Sequence, residues 1–328
     1  MYYALGVALC LAVMFLVMSC AMMACATCLR FLDLRRVSLP ARAGILFLIR
    51  ALPAALAVTV ALGFALPAFL RFEPRSSGEF VGFRLLLLAV PGALALSAMA
   101  VRAARLLLTT SRLDRQWSAQ AERLTVQGVR LSVYCVEDSG SLMAVIGIFR
   151  PRIFVARRFV DTLTSEELSA ALAHEIAHVR AFDNLKQFFL KITRAPRWMS
   201  SFRMTDAAWT NASEVAADEN ALAGGASALD LSSALVKAGR LGSRTALCEA
   251  VAASHLLPAV SQSSFELRVA HLRELLEHEG CRETAGMRSE MIARYGPALL
   301  CLSLLLAYAV SFNTVLPWIH EGLEVLAR

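Results

Sequence analysis

The chain has 328 residues, of which 57% are hydrophobic and 18% charged, and its formal net charge is +7. So little charge on so long a chain excludes an ordinary soluble enzyme. Residues 2–29, 51–70, 85–101 and 295–319 contain no Asp, Glu, Lys, Arg or His, which predicts four transmembrane helices, because about 20 apolar residues at helical rise cross a hydrocarbon core.

The first run has no basic segment before it, unlike a cleaved signal peptide, and its first charge, Arg30, comes after it. An uncleaved anchor with its N-terminus outside is expected. Four of the eight cysteines (Cys10, Cys20, Cys25, Cys28) lie in this run and read as small packing residues. Arg30, Arg35, Arg36, Arg42 and Arg50 against Asp33 mark the next segment as cytoplasmic. These arginines are expected to face anionic headgroups, so the net charge points to membrane lipid as a partner and not to nucleic acid. The third run has only 17 residues, but Arg84 and Arg102 at its ends can snorkel to the interfaces. A further basic cluster, Arg102, Arg105, Arg112 and Arg115, places the long segment up to residue 294 in the cytosol.

Residues 102–294 suffice for one domain with its own core. Residues 129–137 alternate apolar and polar and predict a strand. A turn at 138–141 precedes two more strands, 142–149 and 153–159, interrupted at Arg150-Pro151. Thr164 with Glu167 three residues on forms a capping box behind the apolar Leu163, which predicts a helix from there to about Arg180. Residues 185–192 read as an amphipathic segment, either lying on the membrane surface or packed on the domain core. Further helical patterns occur at 211–223, ended by Gly224-Gly225, at 229–241 and at 264–279.

The predicted helix after Thr164 carries His174-Glu-Ile-Ala-His178. Two histidines four apart project from one helical face, so both imidazoles can bind one metal ion while Glu175 works on a bound water. The chain has only six histidines, which makes chance placement uncommon. A catalytic zinc takes three protein ligands and keeps a fourth position for water. Glu214-Val-Ala-Ala-Asp218 lies on a second predicted helix, again with its carboxylates four apart. Glu214 is read as the third ligand in preference to a solvated carboxylate, and Asp218 as the acceptor for the other ring N–H of a ligating histidine. Glu175 is read as the general base. The strand containing Ala144, Val145 and Ile146 is either an edge on which an extended substrate pairs or a purely structural strand. His255 is a candidate oxyanion stabiliser. Arg268 either orients substrate or buttresses the Glu214 helix, and His271 and His278 are expected to be solvated.

The chain resembles the BlaR/MecR-type membrane zinc peptidases and, more distantly, the HtpX-type membrane peptidases. The resemblance rests on Gly147-Ile-Phe-Arg-Pro-Arg-Ile-Phe-Val155, on Leu163-Thr-Ser-Glu-Glu-Leu168, on Ala171-Leu-Ala-His-Glu-Ile-Ala-His-Val-Arg180, on Asp183-Asn184, on Glu214 to Asp218 and on Arg268-Val269. It covers about residues 128–275, and Leu142 stands where many relatives have Pro. It implies a mainly α membrane protein whose four transmembrane helices carry a cytosolic α+β zincin-like (gluzincin) domain between the third and the fourth. In that layout residues 1–101 hold three spans, 102–294 the metallopeptidase domain, 295–319 the fourth span and 320–328 a short external tail. It also implies one zinc ion on His174, His178 and Glu214, with Glu175 as base. Relatives that act as sensors continue outside the cell with a penicillin-binding domain; nine residues come after 319 here, so that domain is expected to be lacking. The expected function is a zinc endopeptidase cutting a protein or peptide substrate at the inner face of a bacterial cytoplasmic membrane, in regulated proteolysis or signalling. Alternatives are a membrane quality-control protease and a non-catalytic zinc-containing scaffold.

Overall fold

A computed structural model describes residues 2–32, 34, 37–74, 81–125, 131–137, 143–196, 199–242, 266, 268–273, 312 and 314–325. The described residues are mostly helical, with one four-stranded sheet. Among the described residues, three helices are long and apolar enough to cross a membrane: Tyr2–Phe31, Ala41–Phe72 and Phe83–Gln120.

Helix α1 is Tyr2–Phe31 and α2 is Leu39–Val60. A single π turn, Ala61–Ala65, joins α2 to α3, Leu66–Phe72. Pro67 explains the π turn: its nitrogen has no proton and its ring crowds the carbonyl four residues back, so the ladder slips by one residue. Helix α4 is Phe83–Gln120. It runs past the expected domain boundary at 101–102, because loss of apolar composition marks a change of surroundings and not the end of a helix. Its later turns bury Leu106 and Trp117 instead.

Two layers of contact show how the helices alternate. Leu5, Leu9 and Ala12 of α1, Phe69 of α3 and Leu85 of α4 form one cluster with Leu316 and Leu323. At the other end, Met22 and Cys25 of α1 meet Ala195 and Phe202. The fourth span expected at 295–319 lies largely outside the described residues. The described part is helical at 314–325, so the helix continues into the segment expected as a tail.

The sheet consists of β1 Glu122–Leu124, β2 Val133–Val136, β3 Met143–Ile146 and β4 Arg152–Ala156, in the order β1-β2-β4-β3. The pairs β1–β2 and β3–β4 are antiparallel, and β2–β4 is parallel. Strand β1 was not expected; three residues are too few for a period of two to register. Val133, Ile153 and Val145 are in register across β2, β4 and β3, and all face helix α6, Ser165–Arg180, through Leu172. The alternate residues Val136, Phe154, Ala144 and Ile146 pack on Trp117 of α4. The tail of α4 and α6 thus cover opposite faces of the sheet. The chain passes from β4 to α6 through one short helix, α5 Arg157–Val160.

After α6 come α7 Asp183–Ile192, α8 Ser200–Ala223 and α9 Ala228–Gly242. The segment expected to be amphipathic is α7. Its apolar side lies against membrane helices: the Phe189 ring is 6.2 Å from that of Phe47 on α2, and Arg102 Nη1 of α4 donates to the Ile192 carbonyl at 3.2 Å. Arg50 corrects an expectation. It is 3% exposed and turned into the protein instead of toward headgroups.

Candidate metal centre

Helix α6 begins where its sequence predicts. Thr164 Oγ1 accepts from the Glu167 amide at 3.2 Å, and Glu167 Oε2 accepts from the Thr164 amide at 2.8 Å. Glu167 is also held by α9, accepting from Ser233 Oγ and Lys237 Nζ, each at 2.6 Å. These donors, the Lys237 ammonium first, hold its carboxyl down to about 2. This anchored start fixes the rotation of α6 and so the direction in which His174 and His178 point.

His174 Nδ1 lies 2.8 Å from Asp218 Oδ1, and His178 Nδ1 lies 2.8 Å from Asp183 Oδ2. Arg268 Nη2 is also 3.4 Å from His174 Nδ1, but the shorter carboxylate contact decides which way that N–H points. With both Nδ1 protons donated, each Nε2 carries a lone pair. The two Nε2 atoms are 3.2 Å apart, and Glu214 places Oε2 at 3.6 Å from one and Oε1 at 3.6 Å from the other. Three acceptors facing one another repel unless they share a cation. Metal–nitrogen and metal–oxygen bonds of roughly 2.0–2.2 Å in a tetrahedron put ligand atoms about 3.3 Å apart. His174, His178 and Glu214 therefore fit a single metal ion, and all their ligand atoms lie within 4.8 Å of one another.

The surrounding charges agree with that fit. Burial and the Arg268 guanidinium disfavour a charged His174 ring, yet Asp218 and Glu214 outweigh them and hold it up to about 9. His178 is raised too, its burial outweighed by Asp183 and Glu214. Burial pushes Glu214 and Asp218 upward, but His174 and Arg268 keep both below the usual carboxylate range, with His178 adding to the effect on Glu214. Positive charge is thus favoured between the rings and the carboxylates, and a proton or a divalent ion can supply it.

Glu214 and Asp218, one turn apart on α8, are both buried, Asp218 completely. Arg268 lies across them: Nη1 donates to Glu214 Oε2 at 2.9 Å, Nε to Asp218 Oδ2 at 2.8 Å and Nη2 to Asp218 Oδ1 at 2.7 Å. Of the two readings of Arg268, these contacts are those of a buttress. Glu175 comes directly after His174 and is partly exposed. His255 lies outside the described residues, as does His278. His271, expected to be solvated, instead meets Glu219 Oε1 at 3.1 Å, half-buried beside the site.

Sequence reasoning assigned no role to Asp183. Five residues beyond His178 on an unbroken helix it would point about 140° away. The chain breaks at Phe182, whose φ of 57° is left-handed, and this turns Asp183 back toward the ring. The neighbouring Asn184 donates through Nδ2 to the carbonyls of Val145 at 3.2 Å and Gly147 at 3.0 Å. Asn184 thus takes one carbonyl of the edge strand β3 and that of the residue just after it, and the side chains of Ala144, Val145 and Ile146 are buried.

A family model described as BlaR1 peptidase M56 matches residues 80–257, over half of the chain, from the start of α4 past the Glu214 helix. No curated protein matches the chain, and no solved structure does.

Proposed function

The chain belongs to the BlaR1 peptidase M56 family, a membrane metallopeptidase type, and from that premise we propose that it is a zinc-dependent endopeptidase cutting a protein substrate at the cytoplasmic face of a bacterial membrane, in regulated proteolysis or signalling. The observation that carries this reading is the set of two imidazole Nε2 atoms and one carboxylate at ligand spacing, with each Nδ1 already committed to an aspartate. Two neutral imidazoles and one carboxylate are a donor set that suits a catalytic zinc.

His174, His178 and Glu214 would hold the ion. When bound, it supplies Lewis acidity that brings the pKa of water toward neutrality and polarises a carbonyl. Glu175, adjacent to a ligand and partly exposed, takes the proton of the attacking water and returns it to the leaving amine. Asp218 and Asp183 keep the two rings aimed with Nε2 inward, and Arg268 keeps both α8 carboxylates ionised and in place. With a fourth span at 295–319, as its composition suggests, the basic clusters beside the spans support a cytosolic domain with both termini outside.

The test compares the wild type with Glu175→Gln in membranes. Both should retain about one zinc per chain by elemental analysis, while cleavage of membrane-protein substrates drops by about 10²- to 10⁴-fold in the variant. Equal cleavage by both would reject Glu175 as the base. A single regulator accumulating in the variant strain supports a signalling role, and a broad set of misfolded membrane proteins supports quality control instead.

A further inference from the structure

The groups of the metal centre sit on two arms. Helices α6 and α7 carry His174, His178 and Asp183, and α8 carries Glu214 and Asp218. Where the end of α7 and the start of α8 form a joint, α2 packs Ala43 and Leu46 against Leu190 of α7 and Trp209 and Ala212 of α8.

Arg50 enters the joint from α2. Its Nε donates to Asp206 Oδ1 at 2.8 Å, on the α8 side. Its Nη2 donates to the Thr193 carbonyl at 2.8 Å and the Leu190 carbonyl at 3.5 Å, and Nη1 to Thr193 Oγ1 at 3.4 Å, all at the end of α7. The guanidinium also lies 5.3 Å from the ring of Phe202 on α8. A second membrane helix reaches the same helix end through Arg102.

We infer that Arg50 is a positioning residue of the metal centre, joining the end of α7 to the first turns of α8 and so setting the separation of His178 from Glu214. The inference rests on Glu214 being a ligand. The last carbonyls of a helix have no partner within it and carry partial negative charge, so a buried cation is at home at the end of α7. Asp206 is eight residues before Glu214, roughly 12 Å along a rigid helix, so a shift at the start of α8 carries the ligand with it. The planar fork of arginine can bind the carboxylate and the carbonyls at once. A lysine ammonium is a point charge on a flexible stem and holds only one side firmly. A membrane helix is thereby part of what sets the geometry of the site.

The test uses the full chain in nanodiscs with metal as the only ligand. Wild type, Arg50→Lys, Asp206→Asn, Glu214→Gln and the exposed control Arg115→Gln are titrated with Zn²⁺ against a chromophoric chelator. The visible absorption of the Co²⁺-loaded proteins and the thermal unfolding of the metal-free proteins are recorded alongside. Arg50→Lys and Asp206→Asn should bind zinc about tenfold more weakly and show a changed cobalt spectrum, while still unfolding in one cooperative transition, at a temperature lowered by the broken buried pair. Arg115→Gln should match the wild type. Wild-type zinc affinity in Arg50→Lys and Asp206→Asn, with affinity lost in Glu214→Gln, would overturn the inference alone. Failure of both variants to fold would overturn it as well, making Arg50 a folding staple. Wild-type affinity in Glu214→Gln would instead remove the reading of the centre on which the inference stands.

Discussion

Asp183 and Asp218 divide between them the task of aiming the two histidines, each accepting from an Nδ1 at 2.8 Å. Asp218 is also gripped by Arg268 through both oxygens, whereas Asp183 meets Lys186 Nζ, at 3.2 Å, besides its histidine. Removal of the Asp183 carboxylate leaves the His178 ring free to turn and to change tautomer. Asp183→Ala is therefore expected to weaken zinc binding by about 10- to 100-fold with the fold intact. Chelator competition measures this, and an unchanged dissociation constant would show that His178 needs no such partner. Asp183 could not be recognised from spacing alone, since its approach to His178 depends on the left-handed residue Phe182.

At the scale of elements, α6 is the helix whose start matters most, because its rotation aims both ligands. Replacing the capping Thr164 by Ala should cost about 1 kcal/mol of local stability. Glu167 gives this helix a pH dependence of its own. Its folded-state carboxyl is held down to about 2 against an ordinary value of 4.5, so its charged form is stabilised by folding. That contribution is complete above about 4.5 and drains away as the pH falls toward 2. Hydrogen exchange of α6 amides between pH 5 and 2.5 should show protection falling in the wild type and a flatter profile in Glu167→Gln. Identical profiles would place the acid sensitivity elsewhere. Asn184 acts at the same scale, tying the start of α7 to the edge strand β3, which sets the sheet at a fixed height beside the metal centre.

For the whole molecule, the membrane helices approach closely where side chains are small. A Cβ on Gly92 of α4 would land on the Leu11 carbonyl oxygen of α1, and one on Gly6 would meet the Phe69 ring. Small residues at such crossings let backbones touch where no hydrophobic gain is available between apolar helices in lipid. Gly92→Val should force α1 and α4 apart, lowering the stability of the full chain by about 1–3 kcal/mol, read as a lower unfolding temperature in detergent. An unchanged unfolding temperature would mean the crossing is slack.

The apolar runs, the capping box, the His174–His178 pair and the Glu214–Asp218 pair were legible in the amino-acid sequence because each is a regularity among near neighbours, set by helix period and end chemistry. Tertiary structure alone decided which distant groups meet: that α4 continues into the sheet layer, that Arg268 spans two carboxylates and that His271 finds Glu219. It also decided that Arg50, one arginine among several beside a membrane span, is buried against α7 and α8. The reason is physical. A helix's faces are dictated by its own residues, but the partner of each face depends on how the helices and the sheet pack together, which no local pattern encodes.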